Sequence, residues 1–133
     1  MLFRSLTIAR PLFGQYHKNA PWWIKTLVRN ALAQLLPARL TTHDGPSFLE
    51  CHLREQEDRY VLHLLSYMPW QKSEQNQSIE EAIPLQNIKI QLHPDLPIAA
   101  AALAPDLSPL ALEGNAVTVD VNGYACVVLP KRA

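Results

Sequence analysis

The chain holds 133 residues (15.0 kDa), and its 12 basic and 12 acidic side chains cancel to a pI near 7.0. A domain near this size buries roughly two-thirds of its unfolded surface, so one real core is expected without staples, and no global field favours nucleic acid or an anionic membrane. The two cysteines, Cys51 and Cys126, lie in apolar strand patterns far from any CxxC or Cys/His metal spacing, so buried free thiols are expected instead of a disulfide.

Met1 to Arg10 carries Arg4 and Arg10 around an apolar run too brief and too polar for a signal h-region. Within it Leu6 to Ile8 reads as a short strand. The longest apolar run, Ile98 to Ala104, is alanine-rich and stops at Pro105, far short of the roughly 20 residues of a membrane span. The expectation is a soluble, cytoplasmic protein with no membrane and no nucleic-acid partner. Pro11, Gly14 and the polar run Gln15 to Asn19 read as a loop. One helix follows. Asn19 reads as its cap, Pro21 sits in the first turn where its missing N–H is harmless, and apolar residues recur at Ile24, Leu27, Val28, Ala31, Leu32 and Leu35. Lys25 and Arg29 lie on the opposite side, and Pro37 stops the helix. Trp22 and Trp23 are expected to split, one capping the core and one packing on a loop. The chain is thereby divided into a strand-and-helix segment, 1–37, and a sheet domain, 38–133.

From Leu40 the apolar period changes from helical spacing to 2. In Ser47 to Arg54, Leu49, Cys51 and Leu53 alternate with Glu50, His52 and Arg54, giving one buried and one wet face. Tyr60 to Tyr67 is apolar on both faces apart from His63 and Ser66 and reads as a central strand covered on each side, joined to its predecessor by the charged loop Glu55 to Asp58. The polar segment Gln71 to Glu81 reads as the longest and most mobile connection. Ile88, Ile90 and Leu92 mark another half-buried strand, and Ile98 to Leu103, flanked by prolines, reads as an edge strand. Leu110 to Leu129 reads as a β-meander with tight turns at Gly114-Asn115 and Asn122-Gly123, and with Val117, Val119 and Val121 as an inward row. The fold class predicted is mainly β: an antiparallel β-sandwich of about seven to eight strands with one N-terminal α-helix.

No comparable signal exists for chemistry. A nucleophilic Ser or Cys needs a base and an exposed turn, yet no GxSxG occurs, and Cys51 and Cys126 fall on inward faces where a thiolate is disfavoured. Glu80 with Glu81, or Asp44 with Glu50, read as solvated surface and not as a glycosidic acid–base pair. His17, His43, His52, His63 and His93 show no HxH or HExxH spacing. His52 and His63 fall on neighbouring strands, where catalysis would further require a cleft and a carboxylate such as Glu50. The four glycines form no phosphate-cradling loop. No catalytic residue, metal site or cofactor is expected. Tyr67 and Trp70 end the central strand, and with His63 they are the candidates for stacking on a carbohydrate.

Several phrases resemble a known arrangement: Pro11-Leu-Phe-Gly-Gln-Tyr16, Lys25-Thr-Leu-Val-Arg-Asn30 with Ala33-Gln-Leu-Leu-Pro37, Arg59-Tyr-Val-Leu-His-Leu-Leu-Ser-Tyr67, Ile79-Glu-Glu-Ala-Ile-Pro-Leu85 and Tyr124-Ala-Cys-Val-Val-Leu129. They are similar to the C-terminal part of large glycoside hydrolase-like proteins, in which a catalytic TIM barrel is followed by a β-galactosidase trimerisation-type, glutamine amidotransferase-like domain and a terminal β-sandwich. The resemblance implies that Leu2 to Pro37 corresponds to the last strand and helix of the amidotransferase-like domain and Ala38 to Leu129 to the sandwich. The barrel's acid, base and nucleophile have no positions here. A non-catalytic accessory or assembly module is therefore expected. A homo-oligomer formed through the stripe of Ile24, Leu27, Val28, Ala31, Leu32 and Leu35 is the first partner, and a carbohydrate is the alternative.

Overall fold

Two patterns of burial, one helical and one alternating, divide the chain into compact units, Met1–Arg39 and Leu40–Ala133. The computed structural model describes residues 7–8, 11–36, 38–68, 70–71, 77–78 and 82–132.

The first unit holds two helices, α1 (Leu12–Asn19) and α2 (Trp22–Leu35), where the sequence predicts one. The segment read as a loop is α1. Gln15 N–H donates to Pro11 O at 3.2 Å, and Ala20 turns left-handed (φ 41°) while its N–H donates to Tyr16 O at 2.8 Å. Gly14 weakens such a helix by about 1 kcal/mol relative to alanine. Burial of Leu12 contributes about 1.5–3 kcal/mol in return. Asn19 therefore ends α1 and does not cap α2. Pro21 occupies that cap position with extended backbone (φ −65°, ψ 126°) and no side-chain cap. Leu36 leaves the helical region (φ −126°, ψ 73°), as expected of a residue before proline. Pro37 lies outside the described residues, as does Leu6 of the predicted first strand. Thr7 and Ile8 carry no strand.

The second unit runs β1 (Thr41–His43), β2 (Leu49–Glu55), β3 (Arg59–Ser66), β4 (Trp70–Gln71), β5 (Gln77–Ser78), β6 (Pro84–Leu92), β7 (Ala101–Leu103), β8 (Ser108–Leu110), β9 (Leu112–Glu113), β10 (Ala116–Asn122) and β11 (Tyr124–Pro130). Among the described residues nine of these strands make two antiparallel layers, ordered β1–β6–β10–β9 and β2–β3–β11–β7–β8. β4 and β5 pair as a separate ribbon that begins at Trp70, one residue before the predicted long connection, and ends within it. Residues 72–76 and 79–81 of that connection lie outside the described residues. The architecture is mainly β and sandwich-like, with nine strands in place of seven to eight. Its core joins Leu62, Leu64, Ile90, Leu92, Val117, Val121, Val127 and Leu129 with Ile98.

The closing meander differs from its prediction. At Gly114-Asn115 a two-residue hairpin does join β9 to β10, with positive φ at Gly114 (63°) alone, the sign pattern of a type II′ turn. At Asn122-Gly123 there is no type I′ hairpin. Only Gly123 has positive φ (74°), and β10 and β11 meet at Asn122 and Tyr124 alone before joining different layers. Gly123 is a corner. Crossing between layers lets the row Val117, Val119, Val121 and the row Ala125, Val127, Leu129 enter one core.

Three other expectations change. β7 lies between β11 and β8, not at an edge, and Ile98 is buried. The flanking prolines lie outside β7, and the edge strand β8 carries Pro109 instead. Cys126 alternates with the buried Ala125 and Val127 and so faces outward, half-buried, whereas Cys51 packs against the core. β3 is central, but only Tyr60, Leu62, Leu64 and Ser66 are buried, leaving Val61, His63 and Leu65 half-open.

Candidate outer-face site on the five-stranded sheet

β3 lies between β2 and β11, and directly opposed residues of antiparallel strands share a face. The register opposes Glu50 to Leu65, His52 to His63 and Arg54 to Val61 on one side of β3. On the other side Tyr124 faces Leu65, Cys126 faces His63 and Val128 faces Val61. One outer surface therefore presents a charged row, a mixed row and a row headed by Tyr124.

Side chains on this surface are tied together. His63 Nδ1 lies 2.7 Å from the Tyr124 hydroxyl, and the two rings stack with centroids 6.0 Å apart at 25°. This contact anchors the hydroxyl end of a tyrosine that remains 49% exposed. A hydrogen bond with Cys126, aided by desolvation, pushes the Tyr124 phenol above its usual range, which keeps the hydroxyl protonated. His52 Nε2 lies 3.2 Å from Glu50 Oε2. Tyr67, 38% exposed, follows Leu65 by alternation and bridges to Ala82. Its hydroxyl covers Gly123, where an added Cβ would approach it to 2.9 Å. That contact and the Ser66 N–H bond to Gly123 O at 2.7 Å clamp the end of β3 to the corner.

Of the predicted ligand residues, His63 and Tyr67 share this face. Trp70 belongs to β4, and its side chain lies outside the described residues. Glu50, His52 and His63 do come together, with Glu50 and His52 exposed and His63 half-buried. Among the described residues no three His, Cys, Asp or Glu side chains converge to hold a metal ion. Tyr124 is the residue that sequence reasoning missed. Its signal was the alternation of Tyr124, Cys126 and Val128 against Ala125, Val127 and Leu129, obscured by assigning Cys126 inward. Both cysteines are free, and burial pushes the Cys51 thiol up against a smaller opposing effect of its bond to Thr41 Oγ1.

In the helical unit the predicted apolar stripe is partly uncovered, with Val28, Ala31 and Leu35 half-buried. Ile24 is buried, while Leu27 (41%) and Leu32 (47%) are exposed. Trp22 (77%) and Trp23 (45%) are both exposed, so neither caps a core as expected. Phe13, Val28, Ala31, Leu32 and Leu35 line an apolar groove of about 350 Å³ along the helices. Among the described residues no helix is long and apolar enough to cross a membrane.

The fold defines a β-sandwich-like module preceded by a helical pair. No family model matches the chain, and no curated protein matches it. It is similar to a solved structure, alpha-L-fucosidase isoenzyme 2 from Paenibacillus thiaminolyticus, with a TM-score of 0.78 and 27% sequence identity over 92% of this chain and 20% of that one. The chain thus spans one-fifth of the length of the glycoside hydrolase it resembles. Leu40–Ala133 makes up only about seven-tenths of the chain, so a match over 92% takes in much of the helical unit as well.

Proposed function

We propose that this chain is a non-catalytic accessory module of a glycoside hydrolase-like protein, and that it assembles through the apolar face of its helices. The observation that carries this is the extent of the match: nearly the whole chain, helices included, is similar to one-fifth of a fucosidase. The part of that enzyme to which this chain is similar is one-fifth of its length, a share that suits a module beside a catalytic domain. The groove between Phe13 and Leu35 supports assembly, because an apolar surface left in water is stabilised by covering it. In the chain on its own, the covering surface is a second copy.

Two measurements test this. Incubation with a panel of nitrophenyl glycosides, including the α-L-fucoside, should release no nitrophenol above the buffer rate, and turnover that scales with protein would overturn the non-catalytic assignment. Light scattering should find a dimer or larger species that Phe13→Glu with Leu32→Glu converts to monomer. A wild-type chain that stays monomeric across a wide concentration range would remove the self-assembly.

A further inference from the structure

We propose that the outer face of the five-stranded sheet binds a neutral pyranoside, with the Tyr124 ring as its stacking platform and Glu50 and His52 as hydrogen-bonding partners for the sugar hydroxyls. The inference stands apart from assembly, which involves the helical unit.

An exposed tyrosine on a sheet is by itself ordinary surface. Tyr124 differs in being held: its hydroxyl engages His63 Nδ1 at 2.7 Å, with the two rings near-parallel at 25°. A ring anchored through its hydroxyl loses little rotamer freedom when a ligand covers one of its faces, so binding costs less. The neighbouring positions suit a sugar. Leu65, directly opposite Tyr124 in register, offers apolar contact to sugar C–H groups. Glu50, directly across from Leu65, places carboxylate oxygens two strands from Tyr124, and His52 beside it adds a ring nitrogen. A pyranose presents this combination, an apolar face with a rim of hydroxyls.

Charge narrows the ligand class. Glu50 and Arg54 occupy the same row with opposite charge, and no further Lys, Arg, Asp or Glu stands among the positions paired with them on β3 and β11. A polyanion or polycation gains nothing from such a balance, whereas a neutral, hydroxyl-rich ligand is not penalised. Glu50, His52, Arg54 and Tyr124 are all exposed, which suits contact along an oligosaccharide chain.

The test is an NMR titration of the full-length 15N-labelled protein with L-fucose, D-galactose and cellobiose as probes. At least one probe should shift amides of residues 50–54, 61–65 and 124–128 selectively. Tyr124→Ala should weaken that binding at least tenfold, while Tyr124→Phe, which keeps the ring but loses the bond to His63, should weaken it less. Phe13→Glu with Leu32→Glu should bind as wild type, so a failure of assembly is told apart from a failure of sugar recognition. The proposal is overturned if no probe shifts this face, or if a folded Tyr124→Ala variant, checked by its unchanged circular dichroism, binds as well as wild type.

Discussion

Gly123→Ala should destabilise the protein clearly more than Gly114→Ala, although both glycines have positive φ, 74° and 63°. An L-residue in the left-handed region costs about 1–2 kcal/mol, a penalty common to both sites. The lower unfolded-state entropy of alanine is also common, so it cancels in the comparison. At Gly114 nothing lies within 4 Å of the new Cβ. At Gly123 it would meet the Tyr67 hydroxyl at 2.9 Å, Tyr67 Cζ at 3.2 Å and Ala82 Cβ at 3.2 Å. Overpacking of this kind adds about 1–3 kcal/mol, because Tyr67 must leave the corner or the corner must open. The expected gap is that added amount. Urea denaturation followed by circular dichroism measures it, provided the slopes of the two variants agree. In a Tyr67→Ala background the loss from Gly123→Ala should fall towards that of Gly114→Ala while the Ala82 contact persists. Equal losses at the two glycines in the wild-type background would refute the close approach at the corner.

Three further outcomes are expected. Ser66 is fully buried and its hydroxyl donates to Ile83 O at 2.8 Å, so Ser66→Ala should cost about 1–3 kcal/mol by stranding a carbonyl, and a melting temperature unchanged from wild type would contradict it. Lys131 Nζ donates to Glu55 Oε1 and Gln56 O, both at 2.8 Å, and its hydrogen bond holds the Glu55 carboxyl below its usual value. A lowered folded pKa means stability that is present above the unfolded pKa and lost as pH falls through the folded one. Lys131→Met should therefore lower the melting temperature at neutral pH, and the difference from wild type should shrink in acid, whereas a gap that widens in acid would reverse the assignment. Burial raises the Cys51 thiol, so its contribution is intact below the unfolded pKa and declines as pH rises through the folded one. Alkylation by iodoacetamide near pH 8, read by peptide mass spectrometry, should be slower at Cys51 in the native protein than after unfolding, and equal rates would rule out that burial.

Much of the β-structure was legible because alternation is local. Leu49 to Arg54, Ile88 to Leu92 and Val117 to Val121 each state their inner face within a few residues. α1 was not legible, since Gly14, Gln15, His17, Lys18 and Asn19 carry loop composition and its helix rests on burying Leu12. The candidate face was half-legible: His63 on β3 and Tyr67 just past its end were found, whereas Tyr124 became visible only when β11 was placed beside it.

What the sequence alone determined is therefore the mainly β class, the apolar stripe of α2 and the hairpin at Gly114-Asn115. These depend on residue spacing and on the backbone freedom of single residues, which act over short range. The tertiary structure decided that β10 and β11 part at Gly123 into different layers, that β7 is interior, that Cys126 points outward, and that Glu50, His52, His63 and Tyr124 share one surface. Those outcomes depend on pairing between strands distant in sequence, where burial of whole apolar rows in one core outweighs the local preference of an Asn-Gly pair for a hairpin.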